Sequence, residues 1–391
     1  MPAATKYQIK TLDADMKLKT YATLLVIFCL LIAVSLFILY KNKSTRDRLK
    51  MGEKLLYNLQ ANDVVTLKIK SGKEKVTLKR GENFWVVENR FNYPADFSKI
   101  TNLVINLKEM KTGRSFKASP DVISRLSLYD QGENQNQKIK PENQKGIRVV
   151  LENKKKQILA DLIIGKTSSQ TKGNFIRPSK ESTIYLVDRN FRFLETKPSV
   201  WIDKKLIDID PDEIKTVIQF NHKKPVYKLQ RKDKDKKGIF INPPKDKKIN
   251  QSKIDQVFGA LYSFSINDIV DPSKDLSQKC FEKTVFFEYH LFDGSIYKIY
   301  PGCEVENNRQ NYYLRVQTSY MEPKKKETGD NIDKIKDKKT EAEKKADLSA
   351  KMDLLNKKIS SWTYIISGWK YNNFITDPEE FFEKKKAGDK N

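Results

Sequence analysis

Residues 21–40, YATLLVIFCLLIAVSLFILY, run for twenty positions without a charge, while the rest of the chain is strongly polar. Wound into a helix at about 1.5 Å per residue, such a run spans roughly 30 Å, the thickness of a bilayer's hydrocarbon core. The pattern predicts an uncleaved signal anchor. The run is longer than a usual signal-peptide core, and Lys41-Asn42-Lys43 follows it in place of the small residues of a cleavage site. Leu49, Leu55, Leu56 and Leu59, set among charges, predict a juxtamembrane stalk helix over 41–60.

Beyond the stalk the pattern changes to short alternating runs. Asn62-Asp63-Val64-Val65-Thr66-Leu67-Lys68-Ile69 alternates polar and apolar as a half-buried strand does. Val76-Thr77-Leu78-Lys79 returns after Ser71-Gly72, and Phe84-Trp85-Val86-Val87 follows the Gly81-Glu82-Asn83 turn. Asp96 is a natural N-cap for a helix that places Ile100, Leu103, Val104, Leu107 and Met110 on one face.

The same order recurs downstream. Pro211–Ile218, Val226–Leu229 and Gly238–Ile241 read as strands, and Ser252-Lys253-Ile254 opens a helix 154 positions after Ser98-Lys99-Ile100. Trp85 matches Phe240 at an offset of 155, Asn174–Arg177 matches Tyr312–Arg315 at 138, and Tyr185–Asp188 matches Tyr364–Ser367 at 179. The jump from 138 to 179 implies about 41 extra residues in the second half, visible as the Lys/Glu/Asp run 322–358, a solvated insertion that is partly disordered or helical. The reading is an α+β fold: one N-terminal transmembrane helix followed by two tandem related antiparallel-sheet-plus-helix modules. The boundaries are a tail over 1–20, the span over 21–40, the stalk over 41–60, modules over 61–208 and 209–383, and a tail over 384–391.

Composition adds little to this. Lys+Arg 75 against Asp+Glu 50 gives a net charge of +25, open to anionic lipid, nucleic acid, an acidic partner or plain solubility. Four lysines precede the span and six basic residues follow within twenty positions, a balance that alone favours a cytoplasmic domain, although long domains translocate regardless of charge. Three cysteines make no disulfide framework. Cys29 packs within the span. Cys280 and Cys303 flank a hairpin and can pair in an oxidising compartment if the strands end early, since an Asp293-Gly294 turn sets Cys280 against residue 307. Two histidines and no CxxC leave no zinc-site pattern.

Taken in order, Trp85, Tyr93-Pro94-Ala95-Asp96, Phe175-Ile176-Arg177, Tyr185-Leu186-Val187-Asp188 and the tract Trp201–Ile214 resemble an uncharacterised bacterial family, number 4340 among the domains of unknown function. The likeness covers roughly residues 60–220, with a weaker echo to about 382. It implies a single span followed by repeated α+β modules outside the cytoplasmic membrane, encoded beside ABC-type exporters similar to gliding-motility transporters. It implies no catalytic residues.

Motif by motif, the residues carry no strong chemistry. Gly165-Lys166-Thr167 lacks the earlier glycine of a phosphate loop, its place being Ala160. Asp203, Asp208, Asp210, Asp212 and Glu213 form an acidic cluster in which Asp208, Asp210 and Asp212 alternate on one outward face of a solvated strand entry, and the glycine that bends a calcium loop is missing. His222 sits in a lysine-rich turn, His290 ends a strand, and no G-x-S-x-G is present. Tyr300, Tyr312, Tyr313, Arg315 and Tyr320 interleave aromatic and basic positions, without an RNP-like string. Trp362, Trp369, Tyr371 and Phe374 are candidates for a partner surface, the alternative being burial in the second module.

The expectation is a non-enzymatic accessory or scaffold subunit of a bacterial envelope ABC-type transport complex. It sits in the inner membrane as a single-pass protein with its C-terminal domain extracytoplasmic. Its partners are the lipid bilayer and an ABC-type permease; nucleic acid and cofactors are not expected. A polyanion- or anionic-lipid-binding module and an enzyme with a dispersed active site are the alternatives.

Overall fold

The computed structural model describes residues 30, 32, 50–129, 146–274, 276, 281, 285–306, 308–322, 335–374 and 377–383, with backbone alone for 306 and 335–342. Strands β1 (Thr66–Ser71), β2 (Glu74–Arg80), β3 (Trp85–Val87) and β4 (Tyr93–Pro94) lead into helix α1 (Phe97–Glu109). Strand β5 (Thr112–Lys117), the short helix α2 (Pro120–Arg125), and β6 (Ile147–Glu152), β7 (Ile158–Thr167), β8 (Asn174–Pro178) and β9 (Thr183–Val187) complete a nine-stranded sheet. Its order is β4-β3-β2-β1-β6-β7-β8-β9-β5.

After β10 (Lys205–Ile207) come β11 (Ile214–Asn221), β12 (Lys224–Gln230), β13 (Ile239–Phe240) and helix α3 (Gln251–Phe258). Strands β14 (Phe264–Ser265), β15 (Asp268–Ile269), β16 (Val285–Leu291), β17 (Ser295–Glu306) and β18 (Arg309–Tyr320) follow. Helix α4 (Ile335–Ile359), strand β19 (Tyr364–Ile366), helix α5 (Gly368–Tyr371) and a 3-10 turn (Pro378–Phe381) close the chain's described part. The second sheet has eight strands in the order β13-β12-β11-β16-β17-β18-β19-β15. Set the β4 edge aside and the two orders coincide strand for strand. The described strand pairings are antiparallel, as the alternating short runs predict.

The ladders can be laid on one another. Leu67 stands opposite Leu78 and Leu151; Val217 stands opposite Leu229 and Tyr289. The Arg80 N–H donates to Val65 O and the Arg231 N–H to Lys215 O, both at 2.8 Å. Each ladder is preceded by a 3-10 turn, Ala61–Asp63 or Pro211–Glu213. Each helix opens on a residue, Asp96 or Asn250, whose N–H donates at 2.8 Å to Trp201 O or Phe381 O. Ala95 bridges Ile202 and Ile249 bridges Phe382. One sequence match is corrected. Arg80 pairs with Trp85 and Gln230 with Ile239, so the next position outward, Gly238 and not Phe240, is equivalent to Trp85.

A single apolar cluster runs through both halves, from Leu67, Leu78 and Leu103 to Ile254, Phe287 and Tyr364. The halves meet through an edge-to-face pair of Tyr93 and Trp362, with centroids 5.1 Å apart, and an ion pair of Arg90 Nε and Asp268 Oδ1 at 3.0 Å. Burial pushes the Tyr93 and Tyr364 phenols well above their usual range.

Several expectations change. Residues 51–60, expected within a stalk helix, form turns in which the Leu55 N–H donates to Met110 O, and Leu55, Leu56 and Leu59 are buried in the common core. Burial against α1 and β5 overrides the helical spacing of the leucines. The strands expected from Asn62 and Pro211 begin later, at Thr66 and Ile214, because 3-10 turns occupy their first residues. The charged run is helical from Ile335, and its last turns are not solvated all round: Met352 and Ile359 are buried on β18, and Thr318 Oγ1 donates to Met352 O at 2.9 Å. No helix among the described residues is long and apolar enough to cross a membrane. The span expected over 21–40 lies outside the described residues, apart from Leu30 and Ile32, which are helical and exposed. Both tails and residues 41–49 also lie outside them.

Candidate functional site

The N-cap Asp96 accepts the Lys99 N–H at 3.1 Å and starts α1, and Lys99 Nζ reaches Val200 O at 2.7 Å, fixing the helix start to the 3-10 turn Pro198–Val200. Ile100, Leu103, Val104 and Leu107 turn inward. A second stripe, Phe97, Thr101 and Ile105, recurs at i, i+4 and i+8 along the helix flank. It faces the turn Gly81–Phe84, whose Gly81 N–H donates to Phe84 O at 2.8 Å. Between them lies a groove of about 600 Å³. Val64, Trp85, Ala95, Ile100 and Val104 form its buried floor. Phe84, Phe97 and Ile105 form a rim that is 53%, 63% and 47% exposed. Arg80 and Glu82 are the charged side chains in the lining. An exposed apolar rim over an apolar floor is the usual look of a binding surface. The inward face of α1 alone does not point to the groove; the Phe97/Thr101/Ile105 stripe on its flank is the sequence signal that does.

The other candidates are not brought together. Trp362 packs on Tyr93, Tyr371 packs on Tyr312 at 5.0 Å between centroids, and Phe374 is buried against Phe264 and Phe287. Of the four, Trp369 alone is largely exposed. Beside it Lys370 is buried, donates to Ser265 Oγ at 2.6 Å and to Ser265 O, and has its pKa lowered by desolvation. Cys303 is a half-buried free thiol whose Sγ accepts from Tyr371 Oη at 3.6 Å; Cys280 lies outside the described residues.

The acidic tract is used structurally. Asp208 pairs with Lys205 and accepts the Ser263 N–H, which holds its carboxyl below the usual range; Asp210 caps the 3-10 turn, Asp212 pairs with Arg231, and Glu213 pairs with Lys234. Among the described residues no three His, Cys, Asp or Glu side chains gather as metal ligands would. Gly165-Lys166-Thr167 ends β7. His222 sits at positive φ in the β11–β12 turn beside Asn221, and His290 pairs with Glu288 at 3.0 Å.

A family model described as Domain of unknown function (DUF4340) matches residues 85–283, half of the chain. The chain belongs to the DUF4340 family. The DUF4340 match starts at Trp85 on the groove floor, includes α1 with its apolar flank, and runs through β11, β12 and α3. No curated protein and no solved structure matches.

Proposed function

We propose that this protein is a membrane-tethered, non-enzymatic accessory or scaffold subunit of an ABC-type transport complex in the bacterial envelope. Residues 21–40 anchor it in the inner membrane, and two tandem copies of one α+β unit, residues 61–208 and 209–383, stand outside as binding modules. The observation that carries the reading is the groove beside α1, whose lining is apolar and whose rim exposes Phe84, Phe97 and Ile105. Such a lining suits docking better than acid–base chemistry, which needs convergent titratable groups. The shared strand order, the matching 3-10 turns and the paired Trp201 and Phe381 carbonyl contacts support the tandem arrangement.

Purification of the full chain from mild detergent, with and without residues 1–40, tests the proposal. An ABC-type permease identified by mass spectrometry should accompany the full chain and be lost on truncation. A solitary monomer in both preparations overturns the reading. A reporter fused after Asn391 tests the orientation. The net charge of +25 favours a second reading, an anionic-lipid surface module, which predicts vesicle binding that weakens steeply with salt.

A further inference from the structure

The two sheets offer an internal comparison for the groove. Asp96 and Asn250 open the two helices, so Phe97 is equivalent to Gln251, Thr101 to Asp255 and Ile105 to Gly259. On the ladder, Phe84 falls at the position of Lys237. The second copy of this surface is thus polar, and it is bridged: Gln251 Nε2 donates to Gly238 O at 3.1 Å, joining the helix to the residue before β13, and to Asp255 Oδ1 at 3.0 Å along the helix, while the Phe258 ring packs directly against Gly238. The first copy is apolar and open. On one shared framework, the exposed Phe84, Phe97 and Ile105 are not demanded by folding.

The arginine beside the groove shows the same contrast. Arg231 is buried, ion-paired with Asp212, and donates to Lys234 O at 3.1 Å from a longer turn. Its equivalent, Arg80, is exposed, and at the position of Asp212 stands Asn62, which offers Arg80 a backbone carbonyl at 3.4 Å. The groove therefore keeps the arginine without the carboxylate that the second copy supplies from within. Glu82, exposed on the turn, leaves the lining close to neutral overall, so the complement required is local to Arg80.

We infer that the groove beside α1 docks an apolar segment of a partner protein in which an aromatic or branched side chain stands next to a carboxylate: the side chain lies between Phe84, Phe97 and Ile105, and the carboxylate pairs with Arg80. This names the partner chemistry for the accessory-subunit reading and rests on that reading only for the partner being a protein.

The test uses the full chain in detergent with three probes: N-acetylphenylalanine, its amide, and N-acetylalanine. Binding is read from the indole NMR signal of Trp85, assigned with Trp85→Phe. N-acetylphenylalanine should bind with a Kd of about 1 mM, as expected for so small a ligand. The amide and N-acetylalanine should each be at least about fivefold weaker. Phe97→Gln, which installs the residue of the second copy at an exposed position, should weaken N-acetylphenylalanine about fivefold with an unchanged melting temperature. Arg80→Gln should bring acid and amide within about twofold of each other. Equal responses to the three probes, or binding untouched by Phe97→Gln, overturn the inference. So does binding of phosphatidylglycerol vesicles that Phe97→Gln abolishes while the probes are not discriminated, which would make the groove a lipid site. No permease enters the experiment, so the two failures are distinguishable: loss of probe discrimination removes the groove as the protein-docking surface while a permease can still co-purify through residues 1–40, and failure of co-purification removes the transporter while the probe binding stands.

Discussion

A double-mutant cycle at Gly238 and Phe258 probes how the second sheet closes over its helix. Phe258 is fully buried, with its ring under the Arg231 guanidinium at 4.9 Å from the centroid. A Cβ built on Gly238 collides with three atoms of that ring. Removing the ring in Phe258→Ala should cost about 3–5 kcal/mol through lost burial and the cavity left behind. About 1 kcal/mol of this comes from the cation–π contact with the Arg231 guanidinium. Gly238→Ala alone should cost about 1–3 kcal/mol by overpacking. In the double mutant the new methyl enters the space the ring vacated, so the total should fall short of the sum by about 1–2 kcal/mol. Urea unfolding of the full chain in detergent, followed by tryptophan fluorescence, measures all three. Additivity within about 0.5 kcal/mol would mean that the two positions do not share one volume, and the packing argument would fail.

Phe374→Ala should lose about 3–5 kcal/mol, while Trp369→Ala should stay within about 0.5 kcal/mol, because one ring is core and the other solvated; thermal melts by circular dichroism separate them. Leu59→Ala should cost about 2–5 kcal/mol in urea unfolding, the cost of a core leucine and not of an exposed stalk position. The buried phenols of Tyr93, Tyr227, Tyr289 and Tyr364 are all raised, chiefly by desolvation. The unfolded phenol then ionises first, the folded state holds the extra proton, and stability is lost as pH rises above about 10, by about 1.4 kcal/mol per pH unit for each tyrosine. Urea midpoints between pH 9 and pH 11.5 should fall steeply, and a flat profile refutes the assignment.

How much of this was written in the sequence depends on which interaction decides each position. Alternation decided the strands, and the offsets of 138 and 179 agree with the ladder: Tyr185 stands opposite Ile176 and Tyr364 opposite Leu314. Strand entries were misplaced because local turns at Ala61–Asp63 and Pro211–Glu213 compete with extension, and short polar side chains favour such turns. Leu55, Leu56 and Leu59 misled because helical spacing alone does not say whether a partner surface lies nearby. The Trp85–Phe240 match failed for a different reason. Aromatic identity is not structural equivalence: the ladder puts Gly238 at the strand position of Trp85, and there the ring comes from the helix, where Phe258 stands at the position of Val104. A core can fill one place from either of two packed elements, so alignment by residue type fails where the large side chain changes element. The groove is hidden in the sequence for a related reason. Its apolar rim breaks no local rule on its own, since single exposed hydrophobic residues are ordinary, and it becomes informative only once Gln251, Gly259 and Asp212 are seen to occupy the same framework positions as Phe97, Ile105 and Asn62.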